Sequence, residues 1–296
     1  MLQHNPKEPG FKGPVVACVQ MQPQVGAKLD NVARAVQHIE TAASRGASLV
    51  VLPELANTGY VFKDREEVFA LAEGLPDGET AQTFTETAQR LGIYIVAGIA
   101  ERAGRHLYNS AILTGPSGHV GIYRKLHLWN NEHRFFEPGD RGVPVFDTPL
   151  GRVAIVICYD GWFPETYRLA AAQGADIVCV PTNWVPMAGQ PADCPAMATT
   201  LTMAAAHSNG VMIACANRIG TERGQPFVGQ SLIVGGNGWP VAGPASVDRE
   251  EVLYAAIDVQ RTRAERTLNA FNHVLRDRRA DVYDPMLGTG WPLSPC

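Results

Sequence analysis

Cys158, Glu54 and Lys125 are the residues of this chain whose types and settings can do chemistry together. Each stands at the end of an apolar run. Arg152-Val153-Ala154-Ile155-Val156-Ile157 delivers Cys158, and Tyr159-Asp160-Gly161-Trp162-Phe163-Pro164-Glu165 follows at once. Ser48-Leu49-Val50-Val51-Leu52-Pro53 delivers Glu54, and His119-Val120-Gly121-Ile122-Tyr123-Arg124 delivers Lys125. A thiol in mid-strand is buried and inert. A thiol at a strand's C-terminal end, where Gly and Pro turn the chain toward a helix, points into a site and faces backbone N–H groups of the turn. A thiol, a carboxylate and an amine at three strand tips form a set able to do covalent acyl chemistry. Singly, each has a plainer reading: a core thiol, a carboxylate that caps a helix or pairs with an Arg, and a solvated surface amine beside Arg124. Spacing alone does not bring residues 54, 125 and 158 together.

The elements that must position them alternate along the chain. Val15 to Gln20 reads as a first buried strand. Asp30 reads as the N-cap of a helix whose Val32, Ala35, Val36, Ile39 and Ala43 recur at helical spacing up to Gly46. Ser48 to Leu52 is a second strand, and Thr80 to Leu91 a helix stopped by Gly92. Ile93 to Ala100, Tyr108 to Thr114 and His119 to Leu126 are strands joined by tight turns at Gly104 and Pro116-Ser117-Gly118. Val153 to Cys158 is a further strand. Pro164 suits the first turn of a helix through Ala172, and Asp176 to Pro181 is a strand. Ala196 to Ser208, rich in Ala and Met, reads as a well-buried helix. Val211 to Ala216, Ser231 to Val234 and Val252 to Asp258 complete the strands. Such a mixture of βα units and hairpins fits two mixed sheets facing each other with helices outside, rather than one doubly wound sheet.

Composition narrows the function classes. The chain has 296 residues, 46% hydrophobic and 18% charged, with a net charge of −4. It carries no basic stripe that would suit nucleic acid. Arg276-Asp277-Arg278-Arg279-Ala280-Asp281 alternates in sign and reads as a paired segment. No apolar run approaches the ~18 residues of a membrane span. Residues 1–13 are polar with Pro6, Pro9 and Gly10, which suggests a flexible tail rather than a leader peptide. One domain is expected over 14–285, with a C-terminal tail at 286–296. Six cysteines in this length are no disulfide framework. Cys18, Cys179 and Cys215 sit inside apolar runs as small core residues, and a cytoplasmic location is expected.

Three segments together carry a family resemblance. Pro53-Glu54-Leu55, Arg124-Lys125-Leu126-His127 and Cys158-Tyr159-Asp160 with Phe163-Pro164-Glu165 resemble, in order and separation, the three motifs of the nitrilase superfamily of carbon–nitrogen hydrolases. Gly59-Tyr60, Tyr108-Asn109-Ser110, Phe136-Glu137-Pro138-Gly139-Asp140, Gly174-Ala175-Asp176, Asn217-Arg218 and Asp277-Arg278-Arg279 extend the likeness from about Val15 to Pro285. The resemblance implies a four-layer α-β-β-α sandwich, paired across a helix surface into a homodimer or higher homo-oligomer. It also implies roles. Glu54 is the general base for the Cys158 thiol, and Lys125 with the Tyr159 N–H stabilises the oxyanion. Glu132 matches a second carboxylate that orients Lys125 and the substrate amide. No cofactor and no metal are implied.

The branch and the substrate are read from fewer residues. Cys158-Tyr159-Asp160 resembles the amidase and carbamoylase branches rather than the Cys-Trp-Glu of nitrilases. Tyr60, Trp129, Trp162, Trp184 and Met187 lie in or near loops that follow the catalytic strands and suggest a largely apolar acyl pocket. Asn183 in Pro181-Thr182-Asn183-Trp184 is placed to hydrogen-bond a substrate amine or amide. No Arg pair stands ready to clamp a substrate carboxylate. A small primary amide is therefore the expected substrate. N-carbamoyl compounds and nitriles are the alternatives, and a binding module without catalysis is the reading from another class. His106, His119, His127 and His133 lack the i, i+4 helical spacing of a zinc site, and His127 reads as a support for the Lys125 strand. Gly235-Gly236-Asn237-Gly238 reads as a turn, since a phosphate loop would need Lys and Ser or Thr.

Overall fold

The computed structural model describes residues 13–191 and 194–287. The expected N-terminal tail before Gly13, and the C-terminal tail beyond Leu287, lie outside the described residues.

In chain order the elements are β1 (Val15–Gln20), α1 (Lys28–Ser44), β2 (Leu49–Val51), α2 (Arg65–Leu71), α3 (Glu79–Leu91), β3 (Tyr94–Ala103), β4 (His106–Gly115) and β5 (Gly118–Arg124). They continue with β6 (Val145–Thr148), β7 (Gly151–Ile155), α4 (Pro164–Ala172), β8 (Ile177–Pro181), α5 (Met197–Asn209) and β9 (Met212–Ala216). The rest are β10 (Thr221–Glu222), β11 (Gln225–Pro226), β12 (Leu232–Val234), β13 (Pro240–Ala242), β14 (Glu251–Ala256), α6 (Val259–Ala264) and α7 (Ala280–Leu287). Two six-stranded mixed sheets result, in the orders β14-β1-β2-β3-β4-β5 and β13-β12-β9-β8-β7-β6, and β10 pairs with β11 as a short separate ribbon.

Period-two alternation explains how the sheets stack. Val16 and Cys18 of β1, and Leu49 and Val51 of β2, join the core shared with β7, β8 and β9. Their neighbours Ala17, Val19 and Val50 point the other way, onto Ala35 and Ile39 of α1 and Phe84 and Ala88 of α3. Ala170 of α4 and Ala206 of α5 cover the far side of the second sheet. The layers therefore run helix, sheet, sheet, helix, with β1 against β9 and β2 against β8 at the centre.

Several boundaries differ from the sequence expectation for local reasons. Ala27, not Asp30, is the N-cap of α1, and Asp30 sits in its first turn, where a carboxylate still favours the helix dipole. Helix α2 has no apolar period long enough to announce it. It is set by Asp64, whose side chain accepts from the Glu67 N–H, while Glu67 accepts from the Lys63 N–H, a reciprocal cap at the start of the turn. Helix α5 is buried along one face only: Ala198, Thr202 and Ala206 are covered, whereas Met197 is 47% exposed. The polar segment after β14 is tied to its own chain, since Arg263 and Arg266 both reach the buried Asp176. Strand β7 ends at Ile155, three residues before Cys158. Among the described residues, no helix is long and apolar enough to cross a membrane.

Candidate active site

Glu54 lies in the turn that follows β2, drawn against β3 by two backbone hydrogen bonds. The Gly98 N–H donates to the Pro53 carbonyl at 3.2 Å, and the Ala56 N–H to the Gly98 carbonyl at 2.9 Å. Only glycine allows this approach, because a Cβ at residue 98 would stand 2.6 Å from Glu54 Cα. Lys125 is the first residue beyond β5. Its N–H donates to the Asn109 carbonyl of β4, and its carbonyl accepts from Gly139 N–H, each at 2.8 Å. The side chains then meet in the interior. Lys125 Nζ donates to Glu54 Oε1 at 2.6 Å and to Glu132 Oε1 at 2.8 Å. Asn109 Nδ2 donates to the same Glu54 oxygen at 2.7 Å, and the Tyr60 hydroxyl to the same Glu132 oxygen at 2.6 Å. Glu132 itself sits in a 3-10 turn, Asn130–Arg134, and its Oε2 accepts from Trp129 N–H at 3.2 Å.

Cys158 opens a second 3-10 turn, Cys158–Trp162, at a φ of +45°. A non-glycine residue there is strained by about 1–3 kcal/mol and needs its surroundings to hold it. Asp160 supplies that hold. Its Oδ2 accepts from the Ile157 N–H at 2.9 Å and the Tyr123 hydroxyl at 2.6 Å. Its Oδ1 accepts from the His127 N–H and lies 2.8 Å from His127 Nδ1. The His127 ring in turn stacks on Phe163 at 3.7 Å. His127 therefore braces the Cys158 turn rather than pairing with the thiol. One buried carboxylate thus ties the turn bearing Cys158 to the strand end bearing Lys125. The Tyr159 N–H lies in the first turn of this 3-10 segment, where backbone donors have no intrahelical partner.

Cys158, Tyr159, Trp129, Trp162, Asn183 and Trp184, with Val185 and Met187, line a small cavity that opens to solvent. Tyr60 stands in a neighbouring hollow that shares Trp129 and Val185 with it and is also lined by Glu132. Most of the residues singled out in the sequence thus line one of these two hollows, whereas Glu54 and Lys125 line neither and form a fully buried pair. Among the described residues, no charged side chain lines the cavity beside the thiol. Asn183 Nδ2 donates to the Glu54 carbonyl at 3.0 Å, while its Oδ1 is buried without a partner among the described residues, as are Glu54 Oε2 and Asn109 Oδ1. Unpaired buried acceptors are costly, and an incoming N–H-bearing group would satisfy them.

The electrostatics follow from burial opposed by charge. Burial pushes the Glu54 carboxyl up to about 7 even though Lys125 pulls it back, with Glu132 adding to the rise. The Cys158 thiol is pushed far up, first by burial and then by Glu54, with Lys125 opposing. Burial disfavours the Lys125 ammonium, but Glu132 and Glu54 outweigh it and raise its pKa. At rest the site therefore holds a neutral thiol beside a fixed cation and a carboxyl poised near neutrality. Such a thiol is unlocked by a base at the moment of attack rather than stored as a thiolate.

Two residues of this construction escaped the sequence reading. Asp160 was visible only as a branch signature two places after Cys158, and Asn109 only as part of a matching tripeptide. The plain reading of Lys125 as a solvated amine beside Arg124 is also corrected: Lys125 is 1% exposed, and Arg124 is itself buried and pairs with Glu101 and Asp140.

Comparison with known proteins agrees with the geometry. Residues 15–267 match the family Carbon-nitrogen hydrolase. The chain is 44% identical over 268 residues to a nitrilase of Pyrococcus abyssi, covering 90% of this chain and 98% of that one. It is 34% identical over 277 residues to an N-carbamoylputrescine amidase of Solanum lycopersicum, covering 87% and 89% of the two chains. Among solved structures, a variant of the amidase from Nesterenkonia sp. AN1 superposes with a TM-score of 0.74 at 26% identity, over 92% of this chain and 99% of the other. That structure shows the Michael addition of acrylamide at the active site cysteine. This chain belongs to the nitrilase superfamily of carbon–nitrogen hydrolases.

Proposed function

We propose that the protein hydrolyses a small primary amide to its carboxylic acid and ammonia through a thioester on Cys158. The observation that carries this reading is the buried Lys125 ammonium held between Glu54 and Glu132, at 2.6 and 2.8 Å, beside a cavity that contains the thiol. In this account Glu54 takes the thiol proton as Sγ attacks the carbonyl carbon. Lys125 and the Tyr159 N–H stabilise the oxyanion, a type of donor typically worth ~3 kcal/mol. The tetrahedral adduct collapses as Glu54 passes the proton to the leaving nitrogen, which departs as ammonia. Water then enters, Glu54 removes its proton, and the thioester is cleaved to acid and free thiol. A Glu54 carboxyl near 7 suits both directions of transfer at neutral pH.

The uncharged, aromatic lining supports an acyl group without a carboxylate or ammonium next to the reacting carbon. The unpaired Asn183 Oδ1 and Glu54 Oε2 support an NH2-bearing substrate. An N-carbamoyl compound shares that NH2 and is the second reading, favoured by the likeness to the tomato enzyme. Ammonia release from matched primary amides, N-carbamoyl compounds and nitriles, by wild type and Cys158→Ala, tests the proposal. Release from amides alone, lost in the variant, is expected. Carbon dioxide among the products would select the carbamoyl reading, and activity on nitriles alone would overturn the amide assignment. We also propose that the chain pairs with itself. The exposed Leu169 of α4 and Met197 of α5 support this, and a monomeric mass by light scattering would overturn it.

A further inference from the structure

Glu222 sits on the short β10–β11 ribbon, 5% exposed, with no part in the proton transfers above. Its Oε2 accepts from the Tyr60 N–H at 2.8 Å and the Val61 N–H at 2.7 Å. The same oxygen lies 3.1 Å from Arg218 Nη1, and Arg218 is itself 1% exposed. Arg218 Nη2 donates to the Pro23 carbonyl at 2.8 Å, and its guanidinium lies 4.1 Å over the Phe227 ring. Phe227 meets the Tyr60 ring edge-on at 5.9 Å. The turn is pressed close: a Cβ on Gly59, whose φ is +78°, would stand 2.7 Å from Glu222 Oε1. Tyr60 closes the chain through its hydroxyl on Glu132, the carboxylate that holds Lys125.

We infer that Glu222 is a positioning residue for the reaction: by gripping the backbone of Tyr60 and Val61 it seats the Tyr60 hydroxyl on Glu132 and so fixes where Lys125 stands. The inference rests on the roles proposed for Glu54, Lys125 and Glu132. Without the Tyr60 hydrogen bond, the Glu132 charge is less satisfied and draws Lys125 away from Glu54. Glu54 then ionises less readily, so a smaller fraction of it is available at pH 7 to take the thiol proton.

Two conservative variants separate this from a plain ion pair. Glu222→Asp keeps the charge beside Arg218 but withdraws the carboxylate by about 1.5 Å, beyond reach of both N–H groups. Glu222→Gln removes the charge but keeps an oxygen at the Oε2 position. Its amide nitrogen replaces Oε1, which accepts no hydrogen bond, so none is lost there. The readout is the rate and pH midpoint of Cys158 alkylation by iodoacetamide, followed peptide by peptide by mass spectrometry. This needs no substrate, so a wrongly assigned substrate leaves it intact. Expected is a roughly tenfold slower reaction at pH 7 for Glu222→Asp, with the midpoint moved up. Glu222→Gln should stay within about twofold of wild type. Tyr60→Phe should reproduce the Asp phenotype, and the double variant Tyr60→Phe/Glu222→Asp should be no slower than either single one, as for two residues acting through one contact. The inference is overturned if Gln is as slow as Asp, if the two losses add, or if Asp leaves the midpoint in place.

Discussion

Arg124 and Lys125 are consecutive cations at one strand end, each buried and bonded to two carboxylates, of which only Asp140 is exposed, yet their two surroundings are built to different ends. Around Arg124 the bonding is complete. Its Nε and Nη2 bind the two oxygens of Glu101, its Nη1 binds both oxygens of Asp140, and the Ser110 hydroxyl adds to Glu101. Its guanidinium also lies 3.8 Å over the Tyr108 ring. Around Lys125 the bonding is incomplete: Glu54 Oε2, Asn109 Oδ1 and Asn183 Oδ1 are buried and accept nothing. A planar, five-donor guanidinium suits a closed clamp, whereas a compact ammonium can hold two carboxylates and still serve a third group. The difference teaches where to look for chemistry. A buried charge cluster with all its partners stabilises a fold, and one with vacant acceptors beside a cavity is prepared for something that arrives.

Substitutions can break that contrast, beginning with the thiol. Cys158→Ala should lower amide turnover by roughly 10⁴-fold or more and shift the melting temperature little, measured by ammonia release and thermal unfolding. Lys125→Ala comes next, with activity down about 10³-fold. It should also lose about 3 kcal/mol at pH 8 by leaving Glu54 and Glu132 buried without their cation. That loss should shrink at pH 5, where the carboxyls take up protons, and urea titration at the two pH values checks it. Arg124→Ala should do the reverse of Cys158→Ala. It should cost about 3 kcal/mol of stability while the folded fraction keeps turnover within about tenfold of wild type.

The pH dependence sharpens the contrast at smaller amplitude. Glu54 holds its proton up to about 7 in the folded chain, against its ordinary value of 4.5. Base catalysis should therefore rise with pH through about 7. The stability sign is opposite: the folded chain binds the extra proton between those two values, so this contribution is full below 4.5 and is lost as pH rises through about 7. Glu132→Gln removes a neighbouring negative charge and should move the rising limb of kcat/KM to lower pH.

Much of this was legible in the chain. Apolar runs that stop at Glu54, Lys125 and Cys158 located three strand ends, and the near-continuous apolar run Val15 to Val19 marked a buried strand. Two kinds of feature were hidden. Short elements such as α2, fixed by the Asp64 and Glu67 caps, have too few apolar positions to show a period. The other kind is long-range support. Asp160 reaches Tyr123 and His127, and Glu222 reaches Tyr60 across 162 positions. Carboxylates of that sort look like ordinary surface charges until the chain is folded around them. Arg124 illustrates the same limit from the other side, since a charged pair reads as solvated until Glu101 and Asp140 are seen to enclose it.

The central claim is that Cys158 carries the acyl group, and rapid acid quenching during turnover of a small primary amide tests it most directly. Mass spectrometry of the quenched protein should find the acyl mass on the Cys158 peptide in the wild type and none in Cys158→Ala. An acyl group on another residue, or continued ammonia release by Cys158→Ala, would contradict the account.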